Sequence, residues 1–521
     1  MNFQLLIFLL NLILIMVFFS LIIKHVKHGF KKTGRNTLIL LFLIFLIGFA
    51  LRIPAVPFHM MTDEFYYMEA AKNIIKTGEP NLCSYSDVEI ESCSLIFKPL
   101  MFPFILGLIF LFFGVNSFAV ISVSVIFGTL SIVLIFLLAY LLFKEREIGL
   151  WSALLLALNP MHITWSRTAE TNIISLFFTL LTFVLFLYYF RVRDKKILSL
   201  GLLTTAFVIN IRPENGLLLI LVPLLFYLFD HDMLELGIKN MRNKEFWIFS
   251  VIFIMMLLPY FIFLSNTIAS HGYTCSSGKC YSQLFSLDAV KNNWEMYGPL
   301  SLFSHTFHPM VLSFLALLSL LFMRDNKKEA IFLWVFFLSF YFVVIANNLV
   351  HIRYIIPLHV PMTILAGFSL FCLNGYLKKY LKLFAVLVFL VLIVASFYPY
   401  VLKTTSNGNH IMVLETMLPE MIESDIQEDC YVIAENPSIL NSKADIKTVR
   451  AEYALENPKI LDNIIKNSEC TFLLADMYYK FSGNFDRRAN FDKISQTYKL
   501  IPYREYSYDS IKFELYNLTS K

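Results

Sequence analysis

The stretch MMTDEFYYMEAAKNIIKTGEPNLC, residues 60–83, opens a polar loop that closes with SLIFKPLMFPF, residues 94–104. The loop carries two adjacent carboxylates, Asp63 and Glu64, beside an aromatic run that ends at Tyr67, and Lys98 stands before a proline at its far end. Long apolar runs precede and follow it. We therefore predict that this loop carries the chemistry of the protein and that membrane helices hold it in place.

The composition is that of a membrane protein. Hydrophobic residues make up 58% of the 521 residues and charged residues 16%, against about 45–50% and about 25% in soluble domains. Apolar runs of about 18 residues or more recur, which predicts a polytopic α-helical protein in a lipid bilayer. The net charge of +5 is small, and no basic patch with interleaved aromatic residues occurs. Nucleic acid is therefore not an expected partner.

The placement of Lys and Arg predicts the topology, because short basic loops stay in the cytoplasm. The first apolar run has no cleavage site, so we interpret it as a retained helix that leads into the basic loop 24–35. The apolar segment 99–113 is shorter than the roughly 20 residues of a span, so we expect a re-entrant or interfacial helix there. About twelve spans result, and they put the loop 58–98 and the C-terminal part outside the cytoplasm. After the first two helices they lie near 117–143, 147–165, 172–190, 197–213, 214–229, 246–265, 305–323, 330–348, 353–374 and 382–402.

Three regions follow from this pattern. Residues 1–36 form an extra N-terminal membrane helix and its basic loop, and residues 37–402 form the membrane domain. Residues 403–521 are polar, and short β-rich runs alternate there with helical patterns. We predict a small soluble α/β domain for this last region.

Six of the seven cysteines fall in segments predicted to lie outside, where disulfides form. Their local spacing favours the pairs Cys83–Cys93, Cys275–Cys280 and Cys430–Cys470. Free thiols are the alternative. No His completes a zinc pattern near them, so neither a metal nor another cofactor is indicated.

Asp63 and Glu64 permit two interpretations. A carboxylate whose pKa is raised by apolar neighbours or by a second acid can serve as a general base. Acids in the first turn of a helix also stabilise it, and Thr62 could cap the same helix. The two roles are compatible, since a capped helix would fix the carboxylates in place.

Arginines at the outer ends of the predicted helices form the second group of candidates. Arg52, Arg167, Arg212 and Arg353 stand where the positive-inside bias disfavours them. A guanidinium binds phosphate through a planar fork of donors, so we predict a phosphate-bearing substrate at this surface. Pairing within the protein, as Arg167 with Glu170 or Arg212 with Glu214, and contact with lipid headgroups are the alternatives. Lys98 is a further candidate for binding the phosphate. Glu170 is a candidate for binding a sugar or acceptor hydroxyl. Tyr67 and Tyr354 are candidates for substrate binding.

The chain resembles the C-type (GT-C) polytopic glycosyltransferases, in particular the protein O-mannosyltransferase and aminoarabinose transferase group. The resemblance covers about residues 37–402, and the order and spacing of its motifs carry it. These are TDEFYYMEAAKNI at 62–74, KPLMFPFILGLIFLFFG at 98–114, NPMHITWSRTAETNIISLFF at 159–178, RPENGLLL at 212–219 and RYIIPLHVP at 353–361.

The resemblance implies an inverting transfer of a sugar from a polyprenyl-phosphate donor to a hydroxyl of a glycan, lipid or protein. It implies that Asp63 is the base, assisted by Glu64, and that Lys98 and Arg353 hold the donor phosphate. Three features depart from the group: a single proline follows Lys98, Glu170 stands where an Asp slightly further along is usual, and the extra first helix is unusual. A flippase for lipid-linked sugars and a non-catalytic surface receptor are the alternative functions. The C-terminal part lacks a WWDYG-like motif, which argues against transfer of whole glycans to asparagine.

Overall fold

The computed structural model describes seventeen stretches of the chain. By internal contacts the chain forms two compact units. We call Asn2–Ile53 with Ser122–Thr404 the helical unit, and Pro54–Ile121 with Thr405–Lys521 the loop unit. The described residues are 6–17, 20, 34–53, 62–85, 88, 90–96, 99–230, 244–269, 287–297, 309–346, 352–376, 386–387, 390–391, 394–395, 410–475, 485–508 and 511–521.

The helical unit is built from apolar helices. The first residues of one of them, the helix Ser117–Phe143, belong to the loop unit. Five of the described helices are long and apolar enough to cross a membrane: Arg35–Arg52, Ser117–Phe143, Thr171–Val192, Lys327–Ala346 and Arg353–Tyr376. The bounds are α1 Leu6–Val17, α2 Arg35–Arg52, α5 Ser117–Phe143, α6 Arg146–Leu158, α7 Pro160–Ser166, α8 Thr171–Val192, α9 Lys195–Ile211, α10 Leu218–Phe229, α11 Lys244–Ala269, α12 Leu287–Tyr297, α13 Met310–Phe322, α14 Lys327–Ala346 and α15 His359–Tyr376. Short 3-10 helices, Pro213–Leu217 and Ile352–Leu358, lead into α10 and α15.

Local sequence explains where several of these helices begin and how closely they pack. Asn159 ends α6 and caps α7, because its side chain accepts a hydrogen bond from the backbone N–H of His162 and Pro160 takes the first helical position. Gly367 lets α15 approach α6 closely: a Cβ there would lie 2.7 Å from Ser152 Oγ. Small residues permit such contacts between membrane helices.

The N-terminal part of the loop unit combines a helix, a hairpin and a short apolar helix. Helix α3 spans Thr62–Thr77 and α4 spans Met101–Phe113, which at 13 residues is shorter than a membrane span. Between them β1 (Asn81–Tyr85) pairs antiparallel with β2 (Glu91–Leu95), and Cys83 faces Cys93 across the ladder in a disulfide. The sequence did not predict this hairpin.

The C-terminal part of the loop unit is a mixed five-stranded sheet in the order β4-β3-β5-β7-β6. β3 runs parallel to β4 and β5, while β7 pairs antiparallel with β5 and β6. The bounds are α16 His410–Asp425, β3 Tyr431–Ala434, α17 Pro437–Asn441, β4 Lys447–Arg450, α18 Ala451–Glu456, α19 Pro458–Asn467, β5 Thr471–Ala475, α20 Phe485–Thr497, β6 Tyr498–Tyr508 and β7 Ile511–Ser520. A second disulfide joins Cys430 and Cys470.

The predicted fold class is confirmed: apolar helices accompany a small C-terminal sheet domain. The twelve spans, the region boundaries at 36 and 402 and the interfacial placement of α4 stay predictions. The sequence did not predict α12, β4, α17 and α20. Cys275 and Cys280 lie outside the described residues.

Candidate active site

Arg353 and Glu170 form an ion pair in the helical unit. Arg353 lies in the 3-10 helix Ile352–Leu358, and Glu170 is the residue that caps the start of α8 with an extended backbone. Their side chains are 14% and 2% exposed. The sequence left a pair with Arg167 open as one alternative for Glu170, and the structure gives Glu170 an ion pair with Arg353.

Arg212 ends α9 and is held by a bidentate pair with Glu214. Its Nη2 lies 2.6 Å from Glu214 Oε1 and its Nε 3.3 Å from Oε2. It also donates to the side chain of Asn172 at the start of α8. The internal Arg212–Glu214 pairing that the sequence left open as an alternative is thus present in the structure.

The ring of Tyr354 contacts both guanidinium groups. Its ring centroid is 5.0 Å from the guanidinium carbon of Arg212 and 5.8 Å from that of Arg353. Such contacts stabilise a cation by about 0.5–2 kcal/mol. Four predicted residues, Glu170, Arg212, Arg353 and Tyr354, therefore form one cluster, although three separate segments of the chain supply them.

A small pocket adjoins this cluster within the helical unit, and its empty volume of about 380 Å³ includes open solvent. Its lining includes polar side chains, Arg212 among them, and apolar side chains that come largely from α14. Such a mixture suits a ligand with an anionic head and an apolar body. The lining residues are Asn172, Ser175, Arg212, Glu214, Asn215, Phe340, Val343, Val344, Tyr354 and Pro357.

The sequence analysis overlooked the amides of this pocket. Asn215 is buried, and its Nδ2 donates to Ser175 Oγ at 2.8 Å and to the Val208 carbonyl at 2.9 Å. Both Asn172 and Asn215 follow a predicted charged residue closely, in TAETN and RPEN. That proximity was the only available signal, and polar residues near helix ends are too common for it to have been decisive.

Groups within the protein bind the guanidinium of Arg52. It is fully buried at the end of α2, and its guanidinium donates to the carbonyls of Leu156 and Ala157, at 3.0 Å each, and to that of Gly48. Its Nη2 also lies 2.7 Å from His162 Nδ1. A cation that bonds the last carbonyls of a helix stabilises that helix end, so Arg52 joins α2 to α6. The predicted phosphate contact of Arg52 finds no support in this arrangement.

Arg167 lies just after α7 and is partly buried. Burial lowers the pKa of its guanidinium, and its Nε has no hydrogen-bond partner among the residues that the structure describes. It is not among the residues that line the pocket. Its predicted substrate contact stays a prediction.

In the loop unit, Asp63 and Glu64 occupy the first turn of α3. Asp63 is partly buried and Glu64 fully buried. Tyr67 is 4% exposed and packs edge-to-face on Phe102 of α4 at 5.0 Å. This geometry suits both proposed roles of the acids, stabilisation of the helix start and proton transfer. The side chain of Thr62 and the whole of Lys98 lie outside the described residues.

Two further charged residues of α3, Glu69 and Lys72, are buried. The Cys83 N–H donates to Glu69 Oε1 at 2.8 Å, and burial raises the pKa of the Glu69 carboxyl to about 7. Lys72 pairs with Asp445 at 2.7 Å. The sequence analysis missed both, although their spacing puts them on one face of the helix.

One group of metal-ligating atoms occurs in the described part of the chain: Cys83, Glu91 and Cys93. The two sulfur atoms of this group form the disulfide, so they are not available as thiolate ligands. The prediction that no metal is required stays a prediction.

The fold is that of the GT-C membrane glycosyltransferases. The aminoarabinose transferase ArnT from Cupriavidus metallidurans, bound to undecaprenyl phosphate, matches 92% of this chain and 97% of its own with a TM-score of 0.56 and 11% identity. The Archaeoglobus fulgidus oligosaccharyltransferase AglB, in complex with an inhibitory peptide and a dolichol-phosphate, matches 93% of this chain and 74% of its own with a TM-score of 0.57 and 13% identity. At such identities the likeness concerns the fold.

Within that class, residues 97–263 match the family model of dolichyl-phosphate-mannose-protein mannosyltransferases. The resemblance predicted from the sequence is thereby confirmed. An uncharacterised protein of Aquifex aeolicus (strain VF5) is 29% identical over 168 residues, or 32% of this chain. That match spans 33% of the length of the Aquifex protein.

Proposed function

We propose that this protein is a membrane glycosyltransferase that moves a sugar from a polyprenyl-phosphate donor to a hydroxyl group of a glycan, lipid or protein. The observation that carries the proposal is the cluster in which Arg212 and Arg353 both contact the ring of Tyr354, beside a pocket with a mixed polar and apolar lining. A polyprenyl phosphate has the same two-part chemistry, an anionic head and an apolar tail. Two relatives in fold carry such lipids, dolichol-phosphate in one and undecaprenyl phosphate in the other.

Asp63 is the base of the proposed reaction. Its carboxylate takes the proton of the acceptor hydroxyl, and the resulting oxygen attacks the anomeric carbon opposite the phosphate. The bond between the anomeric carbon and the phosphate oxygen breaks, and the electron pair leaves with the polyprenyl phosphate. The configuration at the anomeric carbon inverts. The buried Glu64 beside Asp63 assists the base.

The arginines stabilise the leaving group. Negative charge grows on the phosphate as the glycosidic bond breaks, and fixed guanidinium donors in a site that excludes water stabilise that charge. Glu170 and Glu214 hold the two arginines in position, and Lys98 is a further cation for the phosphate. Because lipid phosphate is already a good leaving group, the reaction has no need of a metal.

The proposed site faces the outside of the cytoplasm, together with the C-terminal domain. The distribution of Lys and Arg supports this orientation. The two disulfides, Cys83–Cys93 and Cys430–Cys470, support it as well, because disulfides persist in oxidising compartments.

The function is tested with purified protein in lipid nanodiscs, given radiolabelled mannosyl-phosphoryl-undecaprenol or mannosyl-phosphoryl-dolichol and a membrane extract as acceptor. We expect label to move from the lipid phosphate to the acceptor fraction. Asp63→Asn should reduce this transfer by about 10²–10⁴-fold with unchanged thermal stability. Glu79→Gln, which changes an exposed carboxylate in the same unit, is the control.

The outcomes separate the candidate functions. Full transfer by Asp63→Asn contradicts the role of Asp63. Passage of intact donor across a liposome bilayer without transfer indicates a flippase, and binding without either reaction indicates a receptor. Both of these results contradict the proposed enzyme.

A further inference from the structure

Helix α3 is attached to the C-terminal sheet domain through a buried lysine within the loop unit. The ammonium of Lys72 lies 3.1 Å from the carbonyl of Asn441 and 2.7 Å from that of Ala444. It also pairs with Asp445 Oδ1 at 2.7 Å. An ammonium group has three donors, and these three acceptors match them. Lys72 is 7% exposed, so its loss would leave two carbonyls without a partner at a site where water is scarce.

A buried carboxylate reinforces the attachment one turn earlier in α3. Glu69 Oε1 accepts the Cys83 N–H of the hairpin, and the side-chain amide of Asn441 reaches it at 3.5 Å. The same amide donates to the Cys83 carbonyl at 2.8 Å. Asn441 therefore connects α3, the hairpin and the end of α17.

The hairpin makes its own contacts with the sheet. Tyr85 packs edge-to-face on Tyr431 of β3 at 5.5 Å, and the Tyr431 hydroxyl donates to the carbonyl of Val88. On the opposite side of α3, a Cβ added at Gly107 of α4 would lie 3.5 Å from the Ala71 carbonyl, so the two helices are in close contact. Helix α3 is thus packed against α4 and bonded to the C-terminal domain.

We infer that Glu69 and Lys72 are positioning residues, which fix the helix that carries Asp63 to the C-terminal domain and make that domain part of the catalytic apparatus. The inference rests on the proposed role of Asp63. Glu69 follows Asp63 by six residues, about 9 Å along a helix. Fixing the middle of α3 therefore fixes the direction of its first turn, and a displacement of about 1 Å can lower a rate by about 10²-fold.

The test compares Lys72→Met with Lys443→Met. Lys443 is a matched control, because it too is largely buried, donates to a carbonyl, that of Thr416 at 2.7 Å, and pairs with an acid, Glu420 at 3.1 Å. Both partners of Lys443 lie in α16. Lys72→Arg is the conservative variant, which keeps the charge. For each variant, thermal stability, hydrogen exchange of the α3 amides, and kcat and KM for the labelled undecaprenyl donor are measured.

We expect Lys72→Met to accelerate exchange across Thr62–Thr77 and to lower kcat by about 10²-fold with KM for the donor unchanged. Lys72→Arg should recover part of kcat. Lys443→Met should leave both kcat and the exchange of α3 as in the wild type. An equal loss of kcat in the two methionine variants at equal stability would overturn the inference, as would normal kcat in Lys72→Met.

A chemical cross-link supplies an independent check. Lys76 and Asp445 are exposed and form an ion pair at 2.7 Å, so cysteines at both positions can be joined by a short bis-methanethiosulfonate linker. In the Lys72→Met background this link should restore kcat, whereas either single cysteine should not. Failure to restore kcat overturns the inference. If the wild type itself transfers no sugar, the proposed function fails, and the hydrogen exchange of α3 still decides whether Lys72 fixes the helix.

Discussion

Arg353 and Glu170 are ion-paired, although 183 residues separate them. The pair joins the 3-10 helix before α15 to the start of α8, and both side chains are largely buried. Breaking a buried pair by removing one partner leaves an uncompensated charge, which costs about 3–5 kcal/mol. The proposed function gives the same arginine a role in holding the donor phosphate, so stability and catalysis must be measured separately.

A double-mutant cycle makes this separation. We expect Arg353→Ala to lower thermal stability and to abolish sugar transfer, because it removes a phosphate ligand and strands Glu170. Arg353→Ala with Glu170→Ala should regain stability but not transfer. Thermal unfolding and transfer of labelled sugar are the measurements. Recovery of transfer in the double variant would assign Arg353 a purely structural role.

The role of the Tyr354 ring in binding the donor lipid can be tested by substitution. Tyr354→Leu removes both cation–π contacts, each worth about 0.5–2 kcal/mol, and should weaken binding of undecaprenyl phosphate. Tyr354→Phe keeps the ring and should bind almost as the wild type does. The rise in the melting temperature of the protein on addition of undecaprenyl phosphate measures this binding. Equal weakening in both variants would assign the effect to the hydroxyl instead.

Glu69 should make stability depend on pH. Its pKa is raised from 4.5 to about 7 by burial, so the folded protein holds a proton that the unfolded chain has lost. The free energy of unfolding therefore falls as pH rises between these two pKa values. The total loss is up to about 3 kcal/mol, and it is complete once the pH is above the folded-state pKa. Glu69→Gln should remove this part of the pH dependence. Melting curves from pH 4 to 9 in detergent check it, and parallel curves for the two proteins would contradict it.

We expect Arg52 to contribute to the stability of the protein and not to binding of the lipid donor. Arg52→Met removes a donor from the buried carbonyls of Leu156 and Ala157. The Leu156 carbonyl still accepts the Asn159 N–H, and a buried group that loses its partner costs about 1–3 kcal/mol. We expect a lower melting temperature with an unchanged KM for the lipid donor. Arg35→Met, at the exposed opposite end of the same helix, is the control. A raised KM at unchanged stability would make Arg52 a ligand after all.

The orientation can be tested by thiol labelling in intact cells. In a Cys372→Ser background, a cysteine at Lys459 in the C-terminal domain should react with a membrane-impermeant maleimide. A cysteine at Glu145, between α5 and α6, should react only after the cells are opened. Both positions are exposed. The reverse pattern would place the C-terminal domain in the cytoplasm.

Much of the secondary structure was predictable from local patterns. α5 and α8 coincide closely with predicted spans, because long apolar runs can form little else in a membrane. Strands β3 and β5 were predicted from short runs of β-branched and apolar residues. The hairpin of the first loop was missed, because its strands are polar and are held by a disulfide and by contacts with distant residues. Local propensity does not contain that information.

The sequence by itself determined the class of protein, the polar loop with Asp63 and Glu64, and the candidate arginines at helix ends. These follow from composition and from the cost of placing charge in lipid. Only the tertiary structure decided what the arginines contact: Arg52 bonds helix carbonyls, while Arg212 and Arg353 both contact the ring of Tyr354 beside a pocket. It also decided that α3 is bonded to the C-terminal domain through Lys72. Ion pairs and hydrogen bonds depend on distances between residues far apart in the chain, and only the packing of the helices and the sheet sets those distances.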